Sequence, residues 1–134
     1  INDSMAEYVA TQVIKLMIKK EINIIGSKIL VLGIAFKENC NDIRNSKTIE
    51  VVKILKKHHI EITIYDPLVN PKKLMKEHVL VSKKTVKKQK FDGIILAVAH
   101  TEFLNLNISE FKKKKSVLYD VKGVLPYDQV DGRL

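Results

Sequence analysis

Phe36, Lys37 and Lys122 are the side chains of this 134-residue sequence whose types and places suit a flat, anionic ligand. A lysine ammonium meets a phosphate or a carbonyl as a point charge. A phenyl ring can stack on a base, although Phe36 would serve equally as a core residue. Asp42 and Arg44 stand two apart in the polar run KENCNDIRN. Their spacing favours an ion pair or a helix cap that orders the loop over a direct role in chemistry. Cys40 would be a nucleophile only with a depressed pKa, and it has no histidine near it in sequence. The histidines at 58, 59, 78 and 100 do not form a metal-ligand pattern, and His100 by itself is no metal site. No Ser/His/Asp order and no paired carboxylates appear, so the chain shows no catalytic set and no metal set of its own.

The elements that would position these residues follow from hydrophobic pattern. KILVLGIAF (28–36) is a continuous apolar run too short for a typical helix, which is the look of a strand covered on both faces. EITIYDP (61–67), DGIILAVAH (92–100) and SVLYDVKG (116–123) read as further strands. Residues 3–20 read as a helix with Met5, Val9, Val13 and Leu16/Met17 on its apolar stripe, capped by Asp3 or Ser4. A second helix is expected from about Ser46 to His59, with Asn45 or Ser46 as its cap. A short helix is expected at 71–78, a short helix or loop at 83–90, and loop with a short helix at 101–115 ending in the lysine run 112–115. A mixed tail closes the chain.

Strands alternating with helices predict an α/β fold: a Rossmann-like, mostly parallel sheet with helices on both faces, preceded by an N-terminal helix. In such sheets ligands bind beyond the carboxyl ends of the strands, where strand order reverses. Phe36-Lys37 follow the first strand, Asp66 the second, His100 the third and Asp120 to Gly123 the fourth. A dinucleotide site there needs a G-x-G-x-x-G turn whose amides touch a pyrophosphate. The first strand runs instead into LGIAFKENCND, with Gly33 alone and bulky residues after it. Asp66 stands where a ribose-binding carboxylate is usually found, but Asp before Pro is also a common turn former. Two lysines at the mouth of the sheet offer an anion site without glycines; the alternative is that both are simply solvated.

Composition bounds the rest. The formal net charge is +9, almost all of it from lysine. Nucleic-acid binding would be expected to bring arginine forks and interleaved aromatics, whereas the sequence has 6% aromatic residues and no tryptophan. No apolar stretch is long enough to span a bilayer. One cysteine rules out an internal disulfide and suits a reducing compartment, so the expectation is a cytoplasmic domain with no nucleic-acid or membrane partner. The start at Ile1-Asn2-Asp3 suggests a piece of something longer.

The run GSKILVLGIAFKENCNDIRNSKTIEVVKILKKHHIEITIYDP resembles the C-terminal domain of the UDP-glucose/GDP-mannose dehydrogenase family. FKENCNDIRNSK is most similar to bacterial UDP-N-acetylhexosamine 6-dehydrogenases of surface-polysaccharide pathways. AVAHTEF and YDVKG resemble the same branch, and INDSMAEYV resembles the end of the family's central helix. The resemblance implies an enzyme that oxidises C6 of a UDP-sugar from alcohol to carboxylate in two NAD-dependent steps. It implies that NAD and the catalytic Cys, Lys and Asp belong to regions upstream, that Cys40 is not the catalytic Cys, and that no cofactor binds within this chain. Residues 1–25 would end the central helix through which the family forms homodimers, and 26–134 would be the UDP-sugar-binding domain. Phe36 and Lys37 match the family's Phe-Lys at the nucleotide-sugar site. Lys122 falls near a basic contact that is often Arg in other branches. The competing expectation is a non-catalytic, degenerate Rossmann module for nucleotide binding or assembly.

Overall fold

A computed structural model describes residues 2–35, 37–44, 46–73 and 80–134. Five strands form one sheet in the order β2-β1-β3-β4-β5: β1 is Lys28–Leu32, β2 Glu61–Tyr65, β3 Phe91–Leu96, β4 Lys112–Asp120 and β5 Gly132–Arg133. Every pairing is parallel. Helix α1 is Asn2–Lys19, α2 Lys47–Lys57, α3 Lys83–Lys87 and α4 Thr101–Leu104, with 3-10 turns at Pro71–Lys73, Ile108–Phe111 and Tyr127–Gln129.

The apolar runs behave as strands buried on both faces, and their period of two divides them between two cores. Ile29, Val31, Ile95, Val117 and Tyr119 face one layer, where α1 contributes Ala6, Val9, Ala10, Val13 and Met17, and α2 contributes Val51, Val52 and Leu55. Leu30, Leu32, Ile94, Leu96 and Leu118 face the other, with Val86 of α3, Phe103 of α4, and Phe111. The expected parallel sheet with helices on both faces and a leading helix is what the chain forms.

Several boundaries move for local reasons. The first strand stops at Leu32 because Gly33 turns the chain at φ +96° and its amide bonds Tyr65 O at 2.9 Å. The third stops at Leu96, beyond which the amides of Ala97 and Val98 both reach back to Leu32 O. The lysine run 112–115 lies within β4, where Lys112 pairs with Phe91 ahead of a register shift. The tail supplies the unanticipated β5, whose Gly132 lies so close to Leu16 and Tyr119 that a Cβ would sit 2.9 and 3.0 Å from their atoms.

On α1, Val9, Val13 and Met17 of the expected stripe are buried, joined by Ala6 and Ala10, while Met5 is 48% exposed. Asp3 and Ser4 lie inside this helix, not at its cap. The Ser46 hydroxyl is buried without a hydrogen bond and does not cap α2, while Asn45 lies outside the described residues, as does most of the expected helix 71–78.

The reversal of strand order falls between β1 and β3, and Gly33 makes the turn that enters it. A Cβ at Gly33 would stand 2.6 Å from Val98 Cβ, with φ already in the left-handed region. Gly33→Ala should therefore cost more than about 2 kcal/mol in urea unfolding. Gly26→Ala, at φ +80° but with nothing within 4 Å of the added methyl, should cost about 1 kcal/mol.

Candidate functional site

The carboxyl rim of the sheet is organised by two acids and a histidine. Asp66, directly after β2, has a side chain with no exposed surface. Its Oδ2 accepts from Ile34 N–H at 2.8 Å and Ala35 N–H at 3.0 Å, and it lies 3.0 Å from His100 Nε2. Its Oδ1 accepts from Leu68 N–H at 3.0 Å. A buried carboxylate is tolerated when its lone pairs are occupied in this way. Asp66 is thus turned inward onto its own chain and is not displayed toward a ribose.

His100 extends the arrangement across the switch. Its ring is fully buried, and its Nδ1 accepts from Asn39 N–H at 2.9 Å. Nδ1 therefore carries no proton, Nε2 does, and the imidazole donates to Asp66. Asn39 sits at φ +54°, a conformation that asparagine adopts more readily than most residues. Its Oδ1 accepts from Thr101 N–H at 3.1 Å and from the Thr101 hydroxyl at 3.2 Å. The segment after β1 is thereby fastened to the ends of β2 and β3.

Asp120 does the same after β4. Its buried carboxylate accepts from the amides of Lys122 at 3.0 Å, Gly123 at 2.8 Å and Leu125 at 2.8 Å. This turn projects the Lys122 side chain back over the rim, where its ammonium stands 3.3 Å from Glu38 Oε1. The Glu38 carboxyl is held below its ordinary pKa, first by its own backbone amide and then by Lys122 and the Ala99 amide, against the opposing effect of partial burial.

Lys37 is exposed and lines an open cleft of about 470 Å³ with Asn39, Cys40, Asn41 and Leu68. Lys122 does not line that cleft; Glu38 is what ties it to the Lys37 segment. Phe36 lies outside the described residues. The structure brings Asp42 and Arg44 together as a forked pair, with Arg44 Nη2 2.8 Å from Asp42 Oδ2 and Nε 3.0 Å from Oδ1. Asp42 Oδ1 also accepts the Arg44 amide at 2.9 Å, closing a tight turn, and it raises the guanidinium pKa. Cys40 Sγ accepts from Asp42 N–H at 3.3 Å. A larger hollow of about 690 Å³, lined by Phe103, Ile108, Leu118 and Leu125 among others, lies away from this rim. Its walls carry Asn107, Ser109, Lys112, Asp128 and Gln129 among the apolar side chains, and the rim differs in bringing Lys122 onto Glu38.

Sequence reasoning singled out the lysines and placed Asp66, His100 and Asp120 at strand ends, but it did not pair Asp66 with His100 and did not single out Glu38. The only local signal for the acids was an Asp immediately after an apolar run. Asp66→Ala would leave the amides of Ile34, Ala35 and Leu68 and an imidazole N–H without an acceptor and should cost about 3 kcal/mol or more in urea unfolding. Arg44→Ala, whose side chain is 85% exposed, should leave the urea unfolding midpoint almost unchanged.

Residues 30–127 match the UDP binding domain of the UDP-glucose/GDP-mannose dehydrogenase family. Over its whole length the chain is 47% identical to a UDP-N-acetyl-D-glucosamine 6-dehydrogenase of Salmonella typhi and 41% identical to one of Pseudomonas aeruginosa, covering 32% of each. The solved structure of a UDP-D-ManNAc dehydrogenase from Pyrococcus horikoshii superposes with a TM-score of 0.75 at 26% identity, over 96% of this chain and 30% of that one. The chain thus spans about a third of the length of the relatives it matches.

Proposed function

The chain belongs to the UDP-glucose/GDP-mannose dehydrogenase family, and from that premise we propose that it holds the UDP end of the substrate in an NAD-dependent UDP-N-acetylhexosamine 6-dehydrogenase. The whole protein would oxidise the sugar C6 alcohol to a carboxylate for surface-polysaccharide synthesis in the cytoplasm. The observation that carries this reading is the segment after β1. It presents lysine where a dinucleotide fold would present free amides.

NAD does not fit this rim. The amides of Ile34 and Ala35 are already donated to Asp66, and the space beside Gly33 is filled by Val98. Pyrophosphate would find no free amide nest there. In this reading NAD and the catalytic residues lie in the rest of the longer protein. Lys37 and Lys122 meet the diphosphate as point charges, and Phe36 lies against the base. The rigidity of the rim supports a positioning role: a domain that closes over bound UDP-sugar orients the reacting carbon and keeps water out.

Residues 1–25 are read as the end of the central helix of a homodimer and 26–134 as the substrate domain. Support for a helix-borne interface comes from α1, which buries one face in the core and leaves Tyr8 and Ile18 51% and 59% exposed. Among the described residues no helix is long and apolar enough to cross a membrane.

In the full-length protein, Lys37→Ala and Lys122→Ala should each raise the UDP-sugar KM by about tenfold, as expected for one lost charge-assisted contact, with the KM for NAD unchanged. An unchanged sugar KM would remove that lysine from the site. The 134-residue chain alone should bind UDP in preference to AMP by calorimetry and form no NADH; a preference for AMP would favour the binding-module alternative.

A further inference from the structure

We propose that Glu38 is a resident counter-ion for Lys122 that every anionic ligand must displace, so that small phosphates bind weakly and ligands that add contacts of their own bind best. This rests on the reading of Lys122 as a contact to the substrate diphosphate. Glu38 stands at the reversal of strand order, between the Lys37 segment and the ends of β3 and β4. Its Oε1 lies 3.3 Å from Lys122 Nζ, and both side chains remain partly open to solvent, at 40% and 37%. A ligand can therefore reach the pair.

Beside the Lys122 contact, its own amide and the Ala99 amide also hold the Glu38 carboxyl below its ordinary pKa. Both amides belong to backbone that the Asp66–His100–Asn39 arrangement holds in place. The carboxylate is thus pre-positioned where a phosphoryl oxygen would be expected to meet Lys122. It opposes an incoming anion twice, by occupying the ammonium and by like-charge repulsion. A partly exposed ion pair is weak, so the effect is a modest toll on affinity and not a block. The toll is the same for any anion that uses Lys122. Inorganic pyrophosphate has nothing to set against it, whereas a nucleoside diphosphate also has its base and ribose.

The test is calorimetry of the chain with UDP and, separately, with inorganic pyrophosphate, on the wild type, Glu38→Gln, Lys122→Ala and the double variant. Glu38→Gln keeps a side-chain acceptor for the two amides and removes the charge, and circular dichroism would verify folding, with Glu38→Ala as a second version. Glu38→Gln should tighten both ligands by about twofold to fivefold, the scale of an exposed pair. That gain should vanish in the Lys122→Ala background. Weaker or unchanged binding in Glu38→Gln, while Lys122→Ala still weakens UDP, would overturn the counter-ion role alone. If Lys122→Ala leaves UDP binding unchanged, the contact itself is wrong and the proposal falls with it.

Discussion

The rim of this domain depends on the solvation of one buried carboxylate. Asp66 has no water to rely on, so its oxygens must be met by protein donors, and the available donors are the amides just after β1 and the imidazole of His100. Meeting that requirement draws the ends of β1, β2 and β3 together. The imidazole passes the constraint onward: with its Nε2 proton directed at Asp66, its Nδ1 can only accept, and the Asn39 amide supplies the donor. Ile34, Ala35 and Asn39 are therefore tied to the sheet, and the exposed Lys37 stands two residues before Asn39.

The same constraint separates this domain from dinucleotide-binding relatives in architecture. Both place a loop at the switch point, and both have a carboxylate at the end of the second strand. In a dinucleotide site the loop amides are left for pyrophosphate. Here they are taken by Asp66, and the methyl-sized space that glycines would keep open is filled by Val98. Any anion meeting this rim would therefore meet side chains at the surface, which is where Lys37 and Lys122 stand. Asp120 repeats the device on the β4 side, using three amides to shape the turn that aims Lys122 across the rim.

The two cores below the rim keep this arrangement still. Parallel strands with both faces covered divide their side chains by alternation, and each layer has its own helices. α1 is integral to one of them, since Val9, Val13 and Met17 are fully or almost fully buried against the sheet. Any interface formed by the other face of α1 is therefore mechanically continuous with the sheet that carries the site.

What the sequence determined by itself was the class of fold and the identity of the surface charges. Apolar runs of strand length separated by helical periodicity leave few alternatives to a parallel α/β sheet, and FKENCNDIRNSK at the end of the first run marks both the family and the missing glycine turn. Element ends were less legible, because hydrogen-bond competition decides them: Leu32 O captures the Ala97 and Val98 amides, and the Lys112–Lys115 run joins β4 through its neighbour β3 despite its charge. Only the tertiary structure decided the partners at the rim. His100 lies 34 residues from Asp66 and 61 from Asn39, and Glu38 after β1 meets Lys122 after β4. No local propensity encodes such pairs, because they form only when the order of strands places their carboxyl ends side by side.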